Sequence, residues 1–318
     1  MLLVLVVPSK RDSYYKHHFN SIIDFHVSYA EAIIEGGDNV VIFADKTAMP
    51  FLKSRLPNEN LLLIDEQLDP WIRDVSPVFP GKNIQFQYSG GLKKKEAKFL
   101  QKNFNKVISK YNVSPSVRVD FLNDGGNFVY NRELGIVLTT DKFLKLNKTI
   151  GSEAKPILEG IFDAKVVILP ADDEKLGHVD GMCAFVNNTL LLVNYEDDPE
   201  FRDSVLDKLV LLDEVAIKEI NCPVSKKKAS GGFASAYGIY VNCVQTENAV
   251  YVPIFNDPQD EDALALFREI LSCGKKIIPV DASNVCHLGG SLRCLSWEVE
   301  GEDAHRLVQA AKISSIGC

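Results

Sequence analysis

The stretch Val166-Val167-Ile168-Leu169-Pro170, with Gly177-His178-Val179-Asp180 a few residues beyond it, is where the fold is read. An unbroken run of aliphatic, mostly β-branched residues is what a strand buried on both faces requires. Proline ends the run, because a residue without an N–H cannot continue a hydrogen-bonded ladder. Just past that end come an imidazole and a carboxylate, side chains suited to chemistry rather than to a core. The pattern recurs: Leu5-Val6-Val7-Pro8 stands before Ser9, and Val250-Tyr251-Val252-Pro253 before Ile254. Other apolar runs of strand length lie at Leu2–Val7, Val40–Phe43, Leu61–Ile64, Ile136–Leu138, Leu190–Val193, Val250–Ile254 and Lys276–Val280.

Helical periodicity lies between these runs. Phe25–Glu35 sets Val27, Ala30, Ile33 and Ile34 on one face and stops at Gly36-Gly37. Asp260–Ser272 repeats this through Ala263, Leu266, Phe267, Ile270 and Leu271 after an acidic first turn. Strands alternating with helices predict an α/β protein. No Pro-, Gly- or Ser-rich linker divides residues 1–318, so a single domain of similar units is expected.

Four segments concentrate polar residues at strand ends: Asp69–Asp74 (DPWIRD), Asn123–Asn127 (NDGGN), Gly177–Asp180 (GHVD) and Gly289–Ser296 (GGSLRCLS). Their key residues, Asp74, Asp124, His178 with Asp180, and Cys294, are separated by steps of 50, 54 and 116. One fifth of the chain is about 64 residues, and the longest step is close to two of the others. A closed ring of five similar units would bring all four strand ends to one axis.

Composition narrows the classes. With 46% hydrophobic, 25% charged and 9% aromatic residues, the chain is an ordinary globular one, neither disordered nor collagenous. The apolar stretch Met1–Val7 is far too short to span a membrane and has no basic segment before it, so the cytoplasm is the expected compartment. A net charge of -8 argues against nucleic acid or an anionic membrane and for a small cationic ligand. The lysine runs Lys93–Lys95 and Lys226–Lys228 read as solvated loops. Seven cysteines, at 183, 222, 243, 273, 286, 294 and 318, form no CxxC pair and read as reduced thiols.

Taken in order, the four segments resemble the guanidino-group-modifying superfamily with the pentein fold, a five-fold pseudosymmetric αβ propeller. The nearest branch is the agmatine deiminases and bacterial-type peptidylarginine deiminases. Trp71-Ile72-Arg73-Asp74 is similar to the family's W-x-R-D, and Gly177-His178-Val179-Asp180 to its G-H-[VI]-D. Asp124-Gly125-Gly126-Asn127 resembles its acidic-G-G segment, with aspartate in place of the usual glutamate. Gly289 to Cys294 resembles the approach to the nucleophilic cysteine, and Pro253–Ala265 the segment before the last helix. The resemblance implies a catalytic set of Cys294, His178, Asp180 and Asp74. It also implies substrate contacts from Asp74, Asp180, Asp124 and Trp71, and no cofactor.

These residue types suit the chemistry. A guanidinium is planar and resonance-stabilised, and paired carboxylates can grip its N–H groups and fix its plane. A thiolate can form and later release a covalent adduct. An imidazole can protonate departing ammonia and then take a proton from water. His178 and Asp180, two residues apart, would point the same way on a strand. A guanidinium about 4 Å from sulfur favours the thiolate by ~4 kcal/mol at an effective dielectric of 20, or about three pKa units. The acidic site should therefore keep Cys294 protonated until substrate arrives.

Several departures and alternatives stay open. Arg293 stands where agmatine deiminases carry histidine, resembling free-arginine deiminases. It binds a substrate carboxylate if it faces inward, whereas strand alternation sends it opposite to Cys294. Cys286 beside His287 is a second thiol–imidazole pair, and a zinc site at His178 and Asp180 is a third reading. The expected reaction converts a guanidino compound, agmatine first and free arginine or peptidylarginine after it, to a ureido product such as N-carbamoylputrescine and ammonia. An amidinotransferase is the enzymatic alternative and a non-catalytic pentein binding protein the non-enzymatic one; a homodimer is compatible with either.

Overall fold

The computed structural model describes residues 1–195, 197–222, 232–271 and 274–316. Among these residues one pattern recurs in five small sheets: a central strand pairs antiparallel with one neighbour and parallel with the strand that follows it. A helix bridges each parallel pair, as a parallel connection requires. The first unit comprises β1 (Leu2–Val6), α1 (Phe19–Gly36) and β2 (Asn39–Ala44), extended past α2 (Met49–Lys53) by β3 (Leu61–Leu63). After the short α3 (Ile72–Val75), the second unit has β4 (Ile84–Gln87), α4 (Lys94–Ser109) and β5 (Val117–Leu122). Its antiparallel partner is reduced to one bridge between Val78 and Ile84.

The third unit is β6 (Val129–Asn131), β7 (Ile136–Thr140), α5 (Lys142–Asn147), α6 (Gly151–Phe162) and β8 (Lys165–Leu169). The fourth is β9 (Cys183–Phe185), β10 (Leu190–Asn194), α7 (Pro199–Leu209) and β11 (Ala216–Ile220). The fifth is β12 (Val244–Gln245), β13 (Ala249–Ile254), α8 (Asp260–Ile270) and β14 (Lys276–Asp281). The last strand, β15 (Trp297–Val299), then returns to the first unit as the antiparallel partner of β1, setting Val299 opposite Leu2, and α9 (Gly301–Ile316) follows it.

All eight strands expected from apolar runs are present. The unbroken apolar run of β1 has a direct cause in packing. Leu3, Leu5 and Val7 enter one apolar cluster with α1 and β13, while Leu2, Val4 and Val6 enter another with α4 and α9. Both faces of β1 are thereby covered, and a polar residue at any of these positions would be buried without a partner.

Three details differ from the sequence reading. α1 starts at Phe19 rather than Phe25, because Phe19, Ile22 and Ile23 already face the core; Ile34 turns outward instead. Gly37, with φ 91°, donates its N–H to the carbonyls of Ile33 and Ile34 and ends the helix. Lys93–Lys95 is exposed but opens α4 instead of forming a loop. The Lys226–Lys228 run, Cys273 and Cys318 lie outside the described residues, and no described helix is long and apolar enough to cross a membrane.

Candidate active site

The expected site residues sit on single turns that follow extended backbone. Trp71 precedes α3 and Asp74 lies within it. Asp124 leads into the turn Gly125–Asn127, and His178 into the turn Val179–Gly181 that carries Asp180. Cys294 lies in a turn just ahead of β15. His178 and Asp180 therefore meet through a tight turn, not through strand alternation as the sequence suggested. Gly177 makes the entry possible: its φ is 55°, and a Cβ there would stand 2.5 Å from the carbonyl oxygen of Asp173. The Asn127 side chain ties neighbouring turns together. Its Oδ1 accepts from the backbone N–H groups of Thr140 and Val179, and Thr140 Oγ1 donates to the carbonyl of Gly177 at 2.6 Å.

Trp71, Asp74, His178, Asp180 and Cys294 line one cleft of about 810 Å³, mouth included. Phe233, Ile239 and Leu288 add apolar wall to it. Its tightest convergence is over Gly126. The Gly126 N–H donates to Asp74 Oδ1 at 3.0 Å. A Cβ on Gly126 would fall 2.7 Å from Asp74 Oδ1, 2.8 Å from His178 Nδ1 and 3.1 Å from Asp180 Oδ2. Three functional groups from two turns thus close on a backbone position of a third turn that carries no side chain. The His178 ring is held from both nitrogens, with Nδ1 3.6 Å from Asp74 Oδ1 and Nε2 3.2 Å from Asp124 Oδ2.

Two residues expected to touch a ligand do not line the cleft. Asp124 accepts from the backbone N–H of Ser89 at 2.7 Å, from Ser89 Oγ at 2.9 Å and from the Gly90 N–H at 2.9 Å, besides facing His178. Its oxygens are taken, so it orients the imidazole from behind. Arg293 points away from Cys294, as alternation allowed, and reaches Asp180 Oδ2 at 2.8 Å and the Phe128 carbonyl at 2.8 Å. A guanidinium so engaged is no receptor for a substrate carboxylate. Cys286 is buried with its thiol on the Ser283 carbonyl, and His287 lies parallel to the Tyr237 ring; neither lines the cleft.

Burial and clustered charge set the ionisation of these groups. Burial pushes the Cys294 thiol well up, and the carboxylates of Asp180 and Asp74 push it further. Burial alone would favour neutral His178, but Asp74 and the hydrogen bond to Asp124 outweigh it, and its pKa is pushed up to about 9. Asp74 is raised by burial and by the nearby Asp124 and Asp180, against the opposing pull of His178. Asp124 is held low despite its burial by His178 and by the N–H groups of Gly90 and Ser89. At neutral pH the empty site thus holds a protonated thiol and a protonated imidazole. Among the described residues, no group of three His, Cys, Asp or Glu side chains is arranged to hold a metal ion.

Sequence reasoning missed Asn242, which lines the cleft and hydrogen-bonds the nucleophile turn. Its only trace is a polar residue interrupting the apolar run Ile239-Tyr240-Val241 before Cys243-Val244. It also missed the buried pair beneath that turn. Arg73 donates to Glu298 at 2.8 Å, and its backbone N–H reaches the Cys294 carbonyl at 3.3 Å.

A thiol, an imidazole and two carboxylates in one cleft of a repeated α/β fold suit the chemistry of a guanidino-group-modifying protein. The chain belongs to the Porphyromonas-type peptidyl-arginine deiminase family, whose model matches residues 2–299. It is 22% identical to the agmatine deiminase of Pseudomonas fluorescens (strain SBW25), over 86% of either chain. Among solved structures, C. jejuni agmatine deiminase superposes with a TM-score of 0.76 at 18% identity, covering 94% of this chain and 92% of that one. Agmatine deiminase of Enterococcus faecalis gives 0.76 at 19% identity over the same shares.

Proposed function

We propose that this chain is a guanidine deiminase, with agmatine as its first substrate, N-carbamoylputrescine and ammonia as its products, and Cys294 as its nucleophile. The observation that carries the reading is the meeting of Asp74, His178 and Asp180 over Gly126, with Cys294 Sγ 4.0 Å from Asp180 Oδ2. In this reading residues 1–318 form one domain, and the five sheets are the blades of a pentein propeller whose axis carries the cleft. The return of β15 to β1 supports such closure. The reading needs no partner beyond a small guanidino substrate, and it places the enzyme in the cytoplasm, where thiols stay reduced.

Asp74 and Asp180 grip the guanidinium and hold its plane toward sulfur. The bound cation offsets the charge that keeps the thiol protonated, so the thiol ionises on binding and its proton passes to solvent. The Cys294 thiolate attacks the guanidinium carbon. The C–N bond to one terminal nitrogen then breaks as His178 donates its proton, and ammonia leaves. The thiouronium adduct is attacked by water, whose proton returns to His178, and collapse of that intermediate expels the thiol and the ureido product. Asp124, behind the ring, keeps the imidazolium available for the first half-reaction.

Ammonia release from a panel of agmatine, free arginine, peptidyl-arginine and unrelated amidines tests the reading. Release from agmatine by the native chain, and none by Cys294→Ala, is the expected result. Activity retained by Cys294→Ala, or no release from any guanidine, would sink it.

A further inference from the structure

A second cavity, about 1280 Å³ with its mouth included, lies among the leading strands β6, β9, β12 and β15. None of its lining residues lines the catalytic cleft. Tyr130, Arg132, Glu298 and Glu300 are among them, and so is Arg293, although its neighbour Cys294 lines the cleft. One ion pair stands between the two spaces. Arg293 Nη1 donates to Asp180 Oδ2 at 2.8 Å, the arginine lining the second cavity and the aspartate the cleft.

Each buried carboxylate of the site has its own anchor. The Gly126 N–H holds Asp74, and the N–H groups of Ser89 and Gly90 hold Asp124. The Asp180 carboxylate accepts from no backbone N–H among the described residues, and Arg293 is its one ion-pair partner there. Arg293 is itself fixed. It is buried, its Nη2 donates to the Phe128 carbonyl at 2.8 Å, and a planar fork tied at both nitrogens cannot turn. The oxygen it holds, Oδ2, is also the one 4.0 Å from Cys294 Sγ. Arg293 therefore decides where that oxygen stands relative to the sulfur.

We infer that Arg293 is a positioning residue: from the second cavity its guanidinium holds Asp180 in the orientation that grips a substrate guanidinium in the cleft. One carboxylate then stands between two guanidinium groups, the chain's own behind it and the substrate's in front. An ionised carboxylate can accept along several directions, so the bond to Arg293 leaves others for the substrate. A partner that is fixed and charged spares the substrate the task of ordering the group that binds it. The inference rests on Asp180 gripping substrate in the proposed deimination.

Chemical rescue tests it. Arg293→Ala opens the space behind Asp180 to the second cavity, where a small cation can enter from solvent. Its kcat at saturating agmatine should fall about 100-fold, the cost of a misplaced catalytic group. Adding about 20 mM guanidinium chloride should restore at least about tenfold of that loss, and should raise nothing in the native chain. Urea is planar and similar in shape but uncharged, and should restore nothing. A kcat within about threefold of the native value, a loss that guanidinium leaves untouched, or equal rescue by urea would each overturn the inference. Should Arg293→Ala fail to fold, Arg293→Lys and Arg293→Gln are compared. The lysine keeps the charge and should retain at least about tenfold more kcat than the glutamine, and equal losses overturn the inference. A native chain that deiminates no guanidine would end the functional reading, and thermal melts then decide the part of Arg293. Guanidinium at the same concentration should raise the Tm of Arg293→Ala by about 2 °C more than that of the native chain, and an equal effect on both overturns the inference.

Discussion

His178 Nε2 lies 3.2 Å from an oxygen of Asp124, a carboxylate that is itself fixed by Ser89 and Gly90 and is turned away from the cleft. The imidazole is thus charged from behind while its Nδ1 side faces the site. A folded pKa of about 9, against an ordinary value of 6.5, fixes the sign of the linkage. The stability that the imidazolium adds is fully present below about pH 6.5 and is lost as pH rises through about 9.

Asp124→Asn should lower the His178 pKa by about one unit or more while keeping an acceptor for the loop N–H groups. The alkaline limb of the pH–rate profile should move down by the same amount, and an NMR titration of the ring should follow it. An unmoved alkaline limb would remove Asp124 from control of the imidazole.

Asp74→Asn and Asp180→Asn should both weaken substrate binding and turnover, by about 2–5 kcal/mol in kcat/KM, since each removes a charge-assisted pair to a desolvated cation. Their effects on stability should differ in sign. Ionising Asp74 is disfavoured by burial and by Asp124 and Asp180, so Asp74→Asn should hold or raise Tm. Asp180→Asn leaves the buried guanidinium of Arg293 without its partner and should lower stability by about 3 kcal/mol or more. Thermal melts of the two variants, with kinetics, check both halves. Parallel Tm changes would show that the two carboxylates share one electrostatic setting.

His178→Ala should lose about 10²–10⁴-fold in rate, because both half-reactions need proton transfer. If hydrolysis of the adduct suffers more than its formation, intact-protein mass spectrometry should show Cys294 heavier by the substrate mass less ammonia. Wild-type turnover by this variant would exclude the imidazole from the mechanism.

Gly126→Ala should separate the catalytic groups without emptying the core. The added methyl must displace Asp74 or His178, both within 2.8 Å of its position. Misplacement of this kind can cost about 10²-fold in kcat with only a modest change in Tm. A variant with native kinetics would mean that the three side chains do not act from the positions they hold here.

Much of this protein was legible before any coordinates, and the reasons are local. A strand covered on both faces must be apolar throughout, so β1, β7, β10 and β13 announce themselves. Polar residues clustered at strand ends mark where a core gives way to a site, which is how Asp74, His178, Asp180 and Cys294 stood out. The leading strands β6, β9, β12 and β15 span only two or three residues, too few for any periodicity. What tertiary structure alone decided is which groups meet and from which side. Asp124 and Arg293 carry the same charges wherever they point. Only packing turned Asp124 behind the imidazole and Arg293 beneath Asp180, away from the ligand both were expected to touch. Asn242 gave almost no signal because an amide has no charge and one polar break in an apolar run is common. Its meaning came from the sulfur it faces, which lies 52 residues further along the chain and is brought near only when the units assemble.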